Sequence, residues 1–278
     1  MAKKKSNKKP ITSQKTFHFI VLPICIIAFC ITLYSAIGII KWKIDSEKTN
    51  EEITDLQESV EIKEDNSEAE TTGDGIDPND PYWKYIKMSL IDVDFADLKR
   101  TNPDTVGWLQ VPSTNVNYPF VQSSDNKYYL NHSFSKDYNS AGWVFLDYRN
   151  NDSLSDKNNV IYAHGRLDNT MFGSLRSTLQ KSWYGNTNNH VIKISTESYN
   201  SLWQIFSIYR IKPTNDYIRV GFSSNEDYKG WLDTIAGRSK IKFNTTVSES
   251  DRVLTLSTCY SDYERLVVHA KLIKYSEK

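Results

Sequence analysis

Cysteine is scarce, with three in 278 residues. Cys25 and Cys30 fall inside one apolar run, which leaves Cys259 alone in the rest of the chain. That remainder therefore has no pair from which to build a disulfide. An excess of charge of either sign is also lacking: Lys plus Arg and Asp plus Glu each number 34. No internal repeat is visible, and no acidic run reads as a calcium site. A solitary cysteine outside the apolar run points to a free, reactive thiol; the other reading is a small buried hydrophobe.

Charge is balanced overall but not along the chain. The tail of residues 1–16 is strongly basic, beginning MAKKKSNKKP. Such a tail can serve nucleic acid, but it directly precedes the apolar run of residues 17–40, FHFIVLPICIIAFCITLYSAIGII, which has no Asp, Glu, Lys or Arg. The pattern reads as a topology signal, with no nucleic-acid partner. As a helix rising ~1.5 Å per residue the run would extend roughly 36 Å, enough to cross a bilayer core with some tilt. It is too long for a cleaved signal peptide and lacks a convincing small-residue cleavage site. A single transmembrane signal anchor is expected, the basic tail cytoplasmic and everything after Lys41 outside.

Residues 41–80 are rich in Glu, Asp, Ser, Thr and Asn. Such a segment buries too little apolar surface to offset its ordering entropy and is expected to be an acidic flexible linker. Ile44, Ile53, Leu56 and Val60 hint at a short helical stripe within it. Composition changes at Pro81, and residues 81–278 are expected to form one domain. Its first stretches, PYWKYIKMSLIDV and DFADLKRTNPD, read as helical, with Asp94 as N-cap of the second. Eight short segments rich in β-branched and aromatic residues follow: VGWLQV, VNYPFV, GWVFLD, NVIYAH, HVIKIS, SLWQIFSIYRI, RVLTLST and RLVVHAKLI. Turn formers separate most of them, so a mainly β fold with a closed eight-stranded β-barrel is expected. Tyr228, Trp231, Leu232 and Ile235 recur at helical spacing before Gly237 and predict one late helix.

As a hairpin, RVLTLSTCYSDYERLVVHAKLI places Leu254 and Leu256 on one face and Ser257 and Cys259 on the other. In the simplest register Cys259 faces Arg265, with Cβ atoms ~4.5–5.5 Å apart. A cation beside a thiol favours the nucleophilic thiolate, and a guanidinium can hold an oxyanion. Acyl transfer by a thiol also needs a proton donor, usually histidine. There are five histidines. His18 sits at the edge of the apolar run. His190 lies in an Asn-rich turn and is expected to be exposed. His269 pairs with Thr255, roughly 13 Å along the strand from Cys259. His132, in a polar loop, is the weaker alternative to His164, which ends the strand NVIYAH where a barrel displays functional side chains.

These residues carry a resemblance. TLSTC followed by an Arg opening the strand RLVVHAKL resembles the signature of the sortases. NVIYAHGR, followed by MFGSL, resembles the block around the sortase histidine. TNPDTVGWLQVPSTNVNYPFVQSSDNKYYLNHSF and GWVFLD are similar to class B sortases, as are the N-terminal helices and the late helix. The resemblance covers roughly residues 82–274. It implies a membrane-anchored cysteine transpeptidase in which Cys259 is the nucleophile, His164 the general acid and base, and Arg265 the oxyanion or substrate clamp. It further implies that Asn126, Leu130, Tyr217, Ile218 and Ser257 line the substrate groove, and that no cofactor or metal is needed. Its partners would be exported proteins bearing a C-terminal sorting motif, cut after threonine, and a peptidoglycan amine from a precursor or cross-bridge. Residues 81–278 would then be an extracellular catalytic domain facing the wall of a Gram-positive cell. The loop from Cys259 to Arg265 is shorter than in some relatives. The same three residues would also serve a surface-anchored cysteine peptidase that releases product to water. A passive binding module would need neither Cys259 nor His164. A papain-like enzyme would have its cysteine before its histidine, and an L,D-type transpeptidase would carry His and Gly close before its cysteine; neither order occurs here.

Overall fold

The computed structural model describes residues 13–67, 69–72 and 76–278. Most of the basic tail, residues 1–12, lies outside the described residues. The chain divides into two compact units, Met1–Asp45 and Ser46–Lys278. Helix α1 runs Ser13–Ser59. Within the first unit its apolar side chains, including Leu22, Ile26, Phe29, Ile31 and Leu33, are exposed. From Val21 onward α1 is long and apolar enough to cross a membrane, with a mean hydropathy of 2.3 in its most apolar stretch. It is a candidate membrane span.

The second unit begins with the last part of α1, where Leu56 is buried and Ile53 packs against the same core, as does Val60 just past the helix. Glu52 accepts hydrogen bonds from the backbone and hydroxyl of Ser135, each at 2.7 Å. Strands β1 (Ile62–Asp65) and β2 (Glu70–Thr71) follow. Much of the segment expected to be a flexible tether is thus helix or strand lying against the domain. Next come a single helical turn, α2 (Tyr82–Tyr85), strand β3 (Leu90–Val93) and helix α3 (Ala96–Thr101). The stretch read as one opening helix ends early because LIDV pairs with β1, Val93 opposite Ile62. Asp94 caps α3 from just outside, its carboxylate accepting the Ala96 N–H at 2.9 Å.

The eight expected strands form. They are β4 (Thr105–Gln110), β5 (Asn117–Gln122), β6 (Phe145–Leu146), β7 (Asn158–Tyr162), β8 (Val191–Thr196), β9 (Tyr199–Ile211), β10 (Val253–Ser261) and β11 (Glu264–Glu277). A single turn, α4 (Lys181–Tyr184), precedes β8, and α5 (Asn225–Gly237) lies between β9 and β10. The sheet order is β10-β7-β6-β5-β4-β8-β9-β11, and pairing of β11 back onto β10 closes the barrel. β2 adds to the outer edge of β11. Alternation sends Trp108, Phe120, Trp203, Leu254, Leu256, Leu266 and Val268 into the barrel core. α5 covers the outside, packing Tyr228, Trp231, Leu232 and Ile235 with Phe206, Tyr209, Val253 and Val267. Its N-cap is Ser224, whose hydroxyl accepts the Asp227 N–H at 3.2 Å.

Candidate active site

Two pairings bring the chemistry together. β10 and β11 are antiparallel, with Cys259 directly opposite Arg265 and Thr255 opposite His269. β10 and β7 are parallel, with Ser257 beside Tyr162. Parallel neighbours end on the same rim, so Cys259 and His164, each two residues further on, emerge together. The loop after His164 lies tight against the cysteine: a Cβ on Gly165 would come within 1.8 Å of the Cys259 carbonyl oxygen. The Thr258 hydroxyl donates to the Ala163 carbonyl at 2.8 Å. The connection between β10 and β11 is tighter than a five-residue loop, because the strands continue to Ser261 and Glu264 around a bulge.

The cleft at this rim has a volume of ≈ 590 Å³. All eight residues singled out from sequence line it: Cys259, His164, Arg265, Asn126, Leu130, Tyr217, Ile218 and Ser257. Cys259 is a free thiol, partly exposed. The Nε2 of His164 lies 2.8 Å from the Leu130 carbonyl oxygen. A carbonyl only accepts, so Nε2 carries the hydrogen and Nδ1 is the nitrogen left to exchange a proton. The Tyr217 hydroxyl and Ser257 Oγ share a buried hydrogen bond of 3.0 Å. Burial raises the Tyr217 phenol above its ordinary pKa, so it remains protonated.

Around this cleft are residues that the sequence reading missed. Asp147 is fully buried and accepts from the Tyr162 hydroxyl at 2.8 Å and from Arg149 Nε at 2.8 Å. Burial pushes its carboxyl up, but those donors together hold it below the ordinary value. Arg149 also donates to the Ile218 carbonyl at 3.0 Å. Asn158 donates to the carbonyls of Tyr217 at 3.3 Å and Arg219 at 2.8 Å. Three successive carbonyls of the Tyr217–Arg219 wall are thereby held from below. The only advance signal is the polar run DYR, which begins at the last residue of GWVFLD.

His132, His190 and His269 do not line this cleft. His269 is fully buried between the Thr255 and Tyr209 hydroxyls, each at 2.8 Å, and burial pulls its pKa down to about 3. His132 stacks on Tyr128 with ring centroids 4.0 Å apart. His190, expected to be exposed, is buried: its Nε2 lies 2.8 Å from the Tyr184 carbonyl and its ring packs edge-on to Phe243. The Asn-rich turn hides it because Asn189 Nδ2 ties back to the Trp183 carbonyl at 3.0 Å.

A barrel that sets a lone thiol opposite a guanidinium, with an imidazole on the same rim, defines a class of thiol acyl-transfer chemistry. The family model for the Sortase domain matches residues 109–273. Sortase B of Staphylococcus aureus is 36% identical over 186 residues, covering 66% of this chain and 75% of that protein. Sortase B of Listeria monocytogenes is 36% identical over 189 residues, covering 65% and 74%. Among solved structures, sortase B from Bacillus anthracis in complex with AAEK1 superposes with a TM-score of 0.67 at 30% identity, covering 83% of this chain and 99% of that one. A Staphylococcus aureus sortase B–substrate complex gives 0.61 at 36% identity, covering 65% and 84%. The chain belongs to the sortase family, in its class B, and is a sortase transpeptidase.

Proposed function

We propose that Cys259 is the nucleophile of this transpeptidase, His164 its acid and base, and Arg265 its oxyanion or substrate clamp. The observation that carries this reading is the direct pairing of Cys259 with Arg265 on a rim that also presents His164. The Cys259 thiolate attacks the threonine carbonyl carbon of a sorting motif bound extended in the cleft, between Asn126 and Leu130 on one side and Tyr217, Ile218 and Ser257 on the other. The Arg265 guanidinium offsets the charge developing on oxygen. The C–N bond breaks as His164 gives its proton to the departing amine, leaving a thioester on Cys259. An amine of the peptidoglycan precursor or cross-bridge then attacks that carbonyl. His164 accepts its proton, the C–S bond breaks, and the thiolate returns. The exported protein ends joined to the wall.

In the same reading residues 17–40 anchor the enzyme, residues 1–16 are cytoplasmic, and the barrel faces the cell wall. The exposed apolar side chains of α1 and the basic residues before them support this orientation.

The test is ligation by the protein beginning at Ser46. Peptides carrying NPxTN-like and xPxTG-like motifs are incubated with and without an oligoglycine or diaminopimelate-type amine, and products are read by mass spectrometry. Amine-dependent ligation, lost in Cys259→Ala, is expected. Cleavage to free acid alone, whatever the amine, would make the protein a peptidase. Ligation that persists in Cys259→Ala would remove the cysteine from the mechanism.

A further inference from the structure

Arg176 stands outside the cleft but touches both loops that carry its chemistry. Its Nη2 donates to the Gly165 carbonyl at 2.9 Å and to the Tyr260 carbonyl at 3.0 Å, and its Nη1 donates to the Arg166 carbonyl at 3.4 Å. Gly165 and Arg166 immediately follow His164, and Tyr260 immediately follows Cys259. One guanidinium therefore spans the two loops. Its fork of donors in a fixed plane can serve several carbonyls at once, which a lysine ammonium on a flexible stem cannot do in the same geometry.

The surroundings hold Arg176 in this position. Its own segment is laced to the histidine loop: Phe172 N–H donates to the His164 carbonyl at 3.0 Å, and Gly165 bridges to Met171. Gly173 sits so close that a Cβ there would come within 2.1 Å of the Arg166 carbonyl oxygen. On the other side the Arg176 guanidinium carbon lies 5.7 Å from the centre of the Tyr260 ring, which also receives Arg210 at 4.5 Å. These cation–π contacts fix the Tyr260 ring, and with it the backbone next to the thiol.

We propose that Arg176 is a positioning residue that sets the spacing of His164 and Cys259 by cross-linking their loops through backbone carbonyls. This rests on the roles proposed above for those two residues. Arg176 touches neither the thiol nor the substrate cleft, so its loss acts on the reacting geometry and leaves peptide binding in place. Reacting groups displaced by an ångström cost on the order of 100-fold in rate.

The experiment uses the full chain in detergent micelles, comparing the wild type with Arg176→Met and Arg176→Lys. Ligation kcat and KM, the thermal midpoint, and the stoichiometry of Cys259 labelling by iodoacetamide are measured for each. Expected for Arg176→Met is a kcat lower by roughly 30- to 100-fold with KM within about twofold and Cys259 labelled to one equivalent per folded chain. Arg176→Lys, which keeps the charge but serves fewer carbonyls, is expected in between. A kcat within twofold of wild type in folded Arg176→Met overturns the proposal. So does a loss of kcat that only matches the fraction of unfolded protein, which would make Arg176 structural. Absence of ligation by the wild type is a separate failure: it removes the proposed reaction and this role with it.

Discussion

His269 shows what a buried histidine does in this barrel. With both ring nitrogens engaged and no solvent access, it stays neutral, its pKa lowered by burial to about 3 against 6.5 for the ordinary side chain. The unfolded chain binds a proton at this site below pH 6.5, whereas the folded chain resists it down to about 3. Stability from this group is therefore complete above pH 6.5 and is lost as pH falls towards the folded value. Each pH unit in that window costs up to about 1.4 kcal/mol. His269→Gln is expected to narrow the drop in thermal midpoint between pH 7.5 and pH 4.5, measured by circular dichroism. An equal drop in both proteins would place the acid lability elsewhere. Placing His269 opposite Thr255 was possible from strand alternation alone, because register in a hairpin follows from its turn and its apolar face. The burial of His190 was not, since it depends on Phe243, which is remote in sequence from the turn.

The cleft wall at Tyr217–Arg219 is held in place by side chains of neighbouring elements. Tyr217 and Ile218 end a single 3₁₀ turn (Asp216–Ile218) and Arg219 follows it, so no strand ladder satisfies their carbonyls. Asn158, fully buried on β7, and Arg149 supply the donors instead. Asn158 also accepts from the Thr255 hydroxyl at 2.6 Å, which links the wall to the His269 pair. Arg149→Met is expected to raise KM for the sorting peptide several-fold with little change in kcat, because it loosens the wall and leaves the thiol untouched. Asn158→Leu strands buried carbonyls and the Thr255 hydroxyl, and is expected to cost about 1–3 kcal/mol per unsatisfied group in denaturant unfolding, with the same rise in KM. An unchanged KM in a folded Arg149→Met would separate this wall from substrate recognition. Beyond the polar run DYR, nothing in the local sequence announces these clamps: they act on main-chain atoms, and any residue at 217–219 would present the same carbonyls.

For the molecule as a whole, the boundary of the folded unit matters most. A chain beginning at Asp80 omits Leu56 and Val60, which are buried in the core, and the pairings of β1 with β3 and β2 with β11. Two such side chains contribute roughly 3–6 kcal/mol. The protein from Ser46 is expected to keep its thermal midpoint, and that from Asp80 to lose on the order of 10 °C by calorimetry. Equal midpoints would return residues 46–79 to the role of a passive tether. The eight barrel strands and α5 were legible because period and turn formers agree along them, and the Cys259–Arg265 pairing followed from one hairpin. β1, with the sequence IKED, was not: it is charged and half exposed, and only its partner makes it a strand. The stripe at Ile53, Leu56 and Val60 was visible, but its acidic surroundings outweighed it.

The parallel seam between β7 and β10 has a consequence in time. The Thr258–Ala163 hydrogen bond joins residues 95 apart in sequence, and every element between them must be threaded before the seam can form. Closure of such distant contacts is slow and comes late. A growing chain therefore holds His164 long before it holds Cys259, and has no rim on which the two can meet. The thiol arrives among the last strands, and the rim that carries it together with His164 is assembled only when the β7–β10 seam forms.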